Sequence, residues 1–419
     1  MKIPGLRWWI AAMLFGAAVL NYVDRQTLSL LVPTIQHDLG MNDEAYANVV
    51  NCFLAAYVIS YLFSGKLVDK LGTRLAYSLF VGWWSISNML MGFARSAFSL
   101  GIFSSMLGLG EAGNWTASPK AVSEWFPARE RALAIGIYTM GGTVGATLAP
   151  LLIVPIGTIY GWPSAFLATG LLGLLWLIPW LWIYRLPEEH PRITEVERKL
   201  VLDAREEKVV TTEVDQRWGT LLRQKEVWVL MLARMLTDPV WYFYQFWFAK
   251  YLFTERGLSQ KELTVTWVIF FAADIGSLMG GWFSGQLIRR GKSPIGSRML
   301  TMLGCAVAMP LAPLVVFSSS TQLSLLFAML MVFAHLAWLI NLSSLILDVF
   351  PQPVLGTVFG VVAAGSALGG IAMNKFVAWL VSHHSYADWF LITTCLHPAA
   401  WLLLRATGLT PYRATATNL

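Results

Sequence analysis

The chain has 419 residues, of which 56% are hydrophobic and 13% charged, and its formal net charge is +6. A soluble domain is about a quarter charged and less than half apolar. A chain this apolar cannot cover a water-facing surface, which excludes a soluble multi-domain enzyme. The apolar residues run in long stretches such as Trp162 to Tyr184, and about 20 such residues cross a bilayer core as one helix. The fold class is therefore an all-α polytopic membrane protein.

In chain order the pattern predicts twelve spans, at 8–36, 44–64, 74–94, 97–119, 132–158, 163–185, 226–253, 263–288, 297–318, 321–348, 354–382 and 386–406. Between spans six and seven lies 186–225, the one clear soluble stretch, with Thr194 and Glu197 spaced as a capping box that opens a short surface helix. The chain thus divides into an N-terminal six-helix half (1–185), a cytoplasmic linker (186–225) and a C-terminal six-helix half (226–419). With both termini inside, 23 of the 30 basic residues fall in cytoplasmic segments and only Arg95, Arg256 and Lys261 fall outside. That bias is the positive-inside rule. It accounts for the basic charge without nucleic acid. The three cysteines, Cys52, Cys305 and Cys395, all lie within spans, so no disulfide framework is expected. No cleavable signal is read before the first span.

The two halves repeat one another. Ser64–Lys70 aligns with Ser284–Arg290 at an offset of 220 residues. After that loop the offset is 224, pairing Gly72-Thr73-Arg74 with Gly296-Ser297-Arg298 and Glu124–Pro127 with Asp348–Pro351. Gly141 and Gly145 match Gly365 and Gly369 at the same offset. Small residues four apart let helices approach closely. A duplicated six-helix unit places substrate near the midplane and moves it by rocking of the halves.

Charged groups at bilayer depth are costly and mark function by default. Arg25 lies mid-membrane, with Tyr22 at i−3 and Asn21 at i−4 on the same face. A guanidinium grips a carboxylate through parallel hydrogen bonds. Arg25 is therefore expected to bind a substrate carboxylate, the alternative being a structural pair with a nearby acid. Asp24 points about 100° away. Glu111 sits in the middle of span four, where a carboxylic acid can hold a proton at neutral pH. At offset 224, Glu111 corresponds to His335. At offset 220, Arg25 corresponds to Gln245 and Asp24 to Tyr244. The basic anchor is then in the first half only, and the second half is expected to read hydroxyls. The residues assigned to that task are Gln245, Asn341 and Ser366, with His335 and Trp338 offering one polar and one aromatic face. Tyr57 and Asn114 are further binding candidates. Asp238, beside Pro239, is read as a cap at a break in span seven.

Gly65-Lys66-Leu67-Val68-Asp69-Lys70-Leu71-Gly72-Thr73-Arg74, between spans two and three, resembles the signature loop of the major facilitator superfamily. In that reading Gly65, Asp69, Gly72 and Arg74 form a gating loop whose charge network holds one conformation and releases in the other. Asn21–Arg25 resembles the first-helix motif of the anion:cation symporter family, which includes sialin-like and sugar-acid transporters. Gly108–Trp115 and Lys120–Pro127 are similar to its hexuronate transporter branch, as are Asp238–Trp241 with Phe246-Trp247, and His335 with Trp338 and Asn341. The resemblance implies proton symport of a small organic anion, with Glu111 and Asp24 as the coupling acids. It departs from the family at Ser104, seven residues before Glu111, where an Arg that can pair with the ionised Glu is usual. Either another cation then serves Glu111 or coupling differs.

The expected activity is proton-coupled import of a hexuronate such as galacturonate or glucuronate, by a monomer in a bacterial inner membrane. No cofactor or metal is expected. A drug or metabolite exporter on the same fold, which would not need Arg25, is the first alternative. A non-transporting receptor is the second. An enzyme finds no support, since the sequence has no phosphate-binding loop, zinc motif or nucleophile elbow.

Overall fold

In the computed structural model, which describes residues 2–206, 221–350 and 355–410, every expected span is helical and no strands form among these residues. The first six helices are α1 (Leu6–Leu39), α2 (Asp43–Leu71), α3 (Thr73–Met91), α4 (Ala97–Trp125), α5 (Ala128–Tyr160) and α6 (Trp162–Ile183). The linker contributes α7 (Glu195–Glu206). The second half follows with α8 (Lys225–Phe246), α9 (Phe248–Arg256), α10 (Trp267–Arg289), α11 (Pro294–Ala308), α12 (Leu314–Phe317), α13 (Thr321–Val349), α14 (Leu355–His383) and α15 (Tyr386–Thr407). Pro351 of the repeated motif and Arg413 lie outside the described residues.

Eight of the described helical segments are individually long and apolar enough to cross a bilayer. Among the described residues, two expected spans divide into separately bounded helices. Span seven divides at Trp247, between α8 and α9. Span nine passes from α11 through a 3-10 turn at Met309–Leu311 into α12, because Pro310 and Pro313 cannot donate to the helical ladder. Turns between spans are fixed by local chemistry. The side chains of Asn42, Ser96, Ser293, Ser320 and Ser385 each accept a backbone N–H at a helix start. Gly72 (φ 77°) makes the bend between α2 and α3 that a Cβ would strain.

The helices form two units. One holds residues 2–206 together with Ala249–Trp267, and the other holds the remaining described residues. Within the first unit, Gln260 donates to the Leu30 carbonyl at 2.7 Å and Lys250 pairs with Asp43. Glycines set the helix approach. A Cβ on Gly141 or Gly145 of α5 would strike the Phe15 or Val19 carbonyl of α1. One on Gly108 of α4 would strike the Phe53 carbonyl of α2, and one on Gly113 would enter the Phe80 ring of α3. α4 can therefore nest against both α2 and α3, with Glu111 between those glycines in sequence.

At the soluble end, Thr194 caps Glu197 N–H at 3.3 Å, as the capping box requires. The Glu197 carboxylate does not return to its own helix. It accepts Leu6 N–H at 3.0 Å and Arg7 N–H at 3.1 Å, and pairs with Arg7 Nη1 at 2.8 Å. The start of α1 offers unsatisfied N–H groups and a positive dipole end, and Gly5 before it has no side chain to cap them. His190 nearby donates from Nε2 to the Ile183 carbonyl at 2.8 Å and accepts Arg192 N–H on Nδ1 at 3.1 Å. Only a neutral imidazole can make both bonds. Burial, with Arg185, Arg192 and Arg198 nearby, holds the pKa of His190 below the ordinary histidine value.

Glu197→Ala should cost about 1–2 kcal/mol through the lost cap, seen as a lower melting temperature in detergent micelles. A folded-state pKa below the unfolded one stabilises the linker above the ordinary value of about 6.5 and loses that contribution as pH falls through the folded value. Proteolysis of 186–206 should therefore accelerate on acidification in the wild type, and His190→Gln should flatten that dependence.

Candidate functional site

Arg25 and Glu111, from α1 and α4, meet inside the first unit. Arg25 Nη2 stands 2.7 Å and Nε 3.0 Å from Glu111 Oε2. The guanidinium side chain is 10% exposed and the carboxylate 0%. Three rings surround the guanidinium, with centroids at 4.9 Å (Tyr22), 5.2 Å (Phe53) and 5.0 Å (Tyr57). Ring faces attract a cation where water is excluded. Glu111 Oε1 is buried without a hydrogen-bond partner. The cation serving Glu111 thus comes from α1, and not from the Ser104 position of α4, where Ser104 itself is buried. Tyr22 and Tyr57 join this cage as expected. Phe53, one turn before Tyr57 on the same face of α2, is the third wall and was detectable by that spacing.

Asp24 faces a different environment. Asn88 of α3 donates to its Oδ1 at 2.7 Å, and the same amide nitrogen reaches Thr169 Oγ1 of α6 at 2.7 Å. Asp24 is 1% exposed, its Oδ2 has no hydrogen-bond partner, and it forms no ion pair among the described residues. Asn88 and Thr169 carried no sequence signal, because single polar residues in a span are common. Asn114 turns toward α3, where Tyr77 donates to its Oδ1 at 2.5 Å, with Ser118 one turn away.

In the second unit the contacts are aromatic. His335 Nδ1 and His397 Nε2 are 3.1 Å apart, so one donates to the other, and both rings are 0% exposed. Trp241 lies parallel to His335 (interplanar 4°, centroids 6.3 Å). Trp338 is fully buried, with its ring 5.1 Å from His397. Asn341 donates to the Gly280 and Ala337 carbonyls at 3.0 and 2.8 Å, tying α13 to α10. Ser366 meets the Tyr242 hydroxyl at 3.2 Å, and Gln245 is buried with Nε2 unpartnered. Asp238 pairs with Arg234 one turn earlier at 2.6 Å, where a helix cap was expected. The helix continues through Pro239, and a fixed cation close by outcompetes the backbone.

The repeat register of the first helix pair also changes. Gly365 and Gly369 of α14 abut Met231 and Met235 of α8, as Gly141 and Gly145 of α5 abut Phe15 and Val19 of α1. Met231 and Met235 lie 216 residues after Phe15 and Val19, one helical turn short of the sequence offset of 220. On this register Arg25 corresponds to Trp241 and not to Gln245. The first unit's Arg25–Glu111 ion pair and the second unit's Trp241–His335 stack then occupy equivalent places.

The gating-loop residues lie at the end of α2 and the start of α3. Lys120 Nζ contacts Asp69 Oδ1 at 2.6 Å and the Val68 carbonyl at 3.2 Å. Arg74 donates to the Leu181 carbonyl, and Thr73 donates to Glu124 at 2.8 Å. A Cβ on Gly65 would meet nothing within 4 Å. In the repeat, Arg298 pairs with Asp348 at 3.2 Å and donates to Ser284 at 2.6 Å.

Helices that enclose a caged ion pair at bilayer depth, in a duplicated architecture, define a membrane transporter and not an enzyme. The chain belongs to the Major Facilitator Superfamily, which it matches over residues 14–373. It is 29% identical over 404 residues to the hexuronate transporter of Escherichia coli (strain K12), covering 93% of this chain and 91% of that protein. It is 31% identical over 284 residues to the galacturonate transporter of Dickeya chrysanthemi, covering 67% of this chain and 82% of that protein. Its fold matches a D-xylose-proton symporter with a TM-score of 0.72 at 16% identity, covering 94% of this chain and 96% of that one. A bacterial homologue of the human lysosomal transporter Spinster gives 0.72 at 18%, covering 97% and 96%.

Breaking a buried ion pair by removing one partner costs roughly 3–5 kcal/mol, whereas replacing both by apolar groups is often neutral. Glu111→Leu should therefore unfold at a clearly lower temperature than Arg25→Met/Glu111→Leu in the same detergent.

Proposed function

We propose that the chain imports a monocarboxylate sugar acid, a hexuronate such as galacturonate or glucuronate, by proton symport with alternating access of its two halves. The observation that carries this reading is the Arg25–Glu111 ion pair inside the Tyr22–Phe53–Tyr57 cage. Arg25 can serve one carboxylate well. While Glu111 is ionised it holds two of the guanidinium donors on one oxygen. A proton on Glu111 removes its charge and frees those donors for a substrate carboxylate, which they grip in parallel. Substrate anion and proton then enter together, and neither charge crosses the apolar core alone.

Asp24, held by Asn88 away from Arg25, supplies a second acid that can carry a proton without competing for substrate. On the cytoplasmic side the Asp69–Lys120 contact acts as a gate tie that forms and releases with the cycle. The second half reads hydroxyls and ring carbons through Trp241, Gln245 and Ser366. Arg234 is already neutralised by Asp238 and offers no anchor for a second carboxylate. Both termini lie in the cytoplasm, the bacterial inner membrane is the site of action, and a monomer suffices.

The test is uptake of labelled galacturonate and glucuronate into proteoliposomes with and without an inward proton gradient. Wild type should accumulate substrate only with the gradient, Arg25→Lys should lose at least about tenfold in affinity, and Arg25→Ala should be inactive. Glu111→Gln should keep exchange but lose accumulation. Normal uptake by Arg25→Ala, or gradient-driven accumulation by Glu111→Gln, would overturn the reading.

A further inference from the structure

His397 lies on α15, far in sequence from every motif, yet it contacts the aromatic cluster of the second unit that stands in register with Arg25 and Glu111. Its Nε2 is 3.1 Å from His335 Nδ1, and the two rings meet edge to face at 85°. Its other side meets Trp338 at 75°. His335 is in turn parallel to Trp241, and Phe270 closes on Trp241 edge-on at 6.0 Å. His335 and His397 are both 0% exposed, whereas Trp241 is half-buried. Of the rings His335, His397, Trp338, Phe270 and Trp241, Trp241 alone keeps more than marginal exposed surface.

A single hydrogen bond fixes the His335 ring. Without it packing alone would hold the ring, and its parallel setting against Trp241 would lose its one polar restraint. His335 Nε2 and His397 Nδ1 are both buried without hydrogen-bond partners, so no other bond holds either ring in place. We infer that His397 is a positioning residue for sugar recognition: through His335 it sets the plane of Trp241, whose partly exposed indole packs against the apolar carbon face of a cyclic sugar acid.

This inference rests on the sugar-acid reading and adds to it a preference for ring-closed acids. An indole is a flat apolar surface with one polar tip. It suits a pyranose, whose axial hydrogens present a flat face, better than an open-chain aldonate.

The experiment is zero-trans uptake and counterflow with galacturonate as substrate and D-galactonate as the open-chain competitor. His397→Met keeps the volume and removes the hydrogen bond. It should raise KM for galacturonate about tenfold, the scale of one lost orienting bond, while kcat stays within about twofold. The preference for galacturonate over D-galactonate should fall by a similar factor. His397→Gln, which retains a donor and an acceptor, should restore most of both. In a Trp241→Ala background the His397→Met effect on KM should disappear, since coupled residues are not additive. Should His397→Met not fold, His397→Asn, whose amide is too short to reach His335, takes its place. An unchanged KM, an equal fall in kcat, or full additivity with Trp241→Ala would overturn the inference. Wild type that takes up no sugar acid would instead overturn the function proposed above, so the two failures are told apart.

Discussion

A positive and a negative charge, Arg25 and Glu111, are held together where the bilayer removes water, and the surrounding helices are arranged to make that tolerable. Each charge alone would be expensive at this depth, and together they are neutral with a short contact on one carboxylate oxygen. The cage of Tyr22, Phe53 and Tyr57 adds ring faces toward the cation. The close approach of α4 to α2 and α3, through Gly108 and Gly113, seats Glu111 at a depth where Arg25 can reach it. The unpartnered Oε1 of Glu111 leaves the carboxylate incompletely satisfied. A proton on that carboxylate would cancel its charge and release the guanidinium donors it now holds.

Duplication supplied two such positions, and the halves use them differently. In the first unit the equivalent place holds an ion pair, and in the second it holds an indole stacked on an imidazole. One half thus presents charge at this place and the other presents flat aromatic surface. A second ion pair at the equivalent place would favour doubly charged ligands and raise the cost of crossing the membrane. The His335–His397 contact places no acid beside Trp241, and Arg234 near that position is paired internally with Asp238.

The charged helix ends follow the same rule of local pairing. The basic residues that orient the chain also make its local ties: Lys120 to Asp69, Arg298 to Asp348, and Arg7 to Glu197 and Glu130. Glu197 joins the linker to the start of α1, the helix that carries Asp24 and Arg25. The end of that helix is therefore anchored by a soluble segment, and its middle is anchored by the Arg25 and Asp24 contacts.

The sequence by itself determined the class, the spans, the duplication, and which charges lie inside spans. Long apolar runs and the basic-residue bias are one-dimensional signals, and an ionisable residue in an apolar run stands out without any neighbour. It named Arg25, Glu111, Tyr22 and Tyr57, and these come together in one cage. Only the tertiary structure decided who pairs with whom. It gave Glu111 its cation from α1, turned Asp24 to Asn88, sent the Glu197 carboxylate to another helix, and moved the repeat register of the first helix pair by one turn. It also brought in His397, a lone histidine in an ordinary span. Partner choice depends on which faces of different helices meet, and those faces are set by glycine contacts between segments distant in sequence. A helical turn of slippage leaves the apolar pattern almost unchanged, so hydropathy and offset counting cannot detect it, whereas a carbonyl against a glycine fixes it.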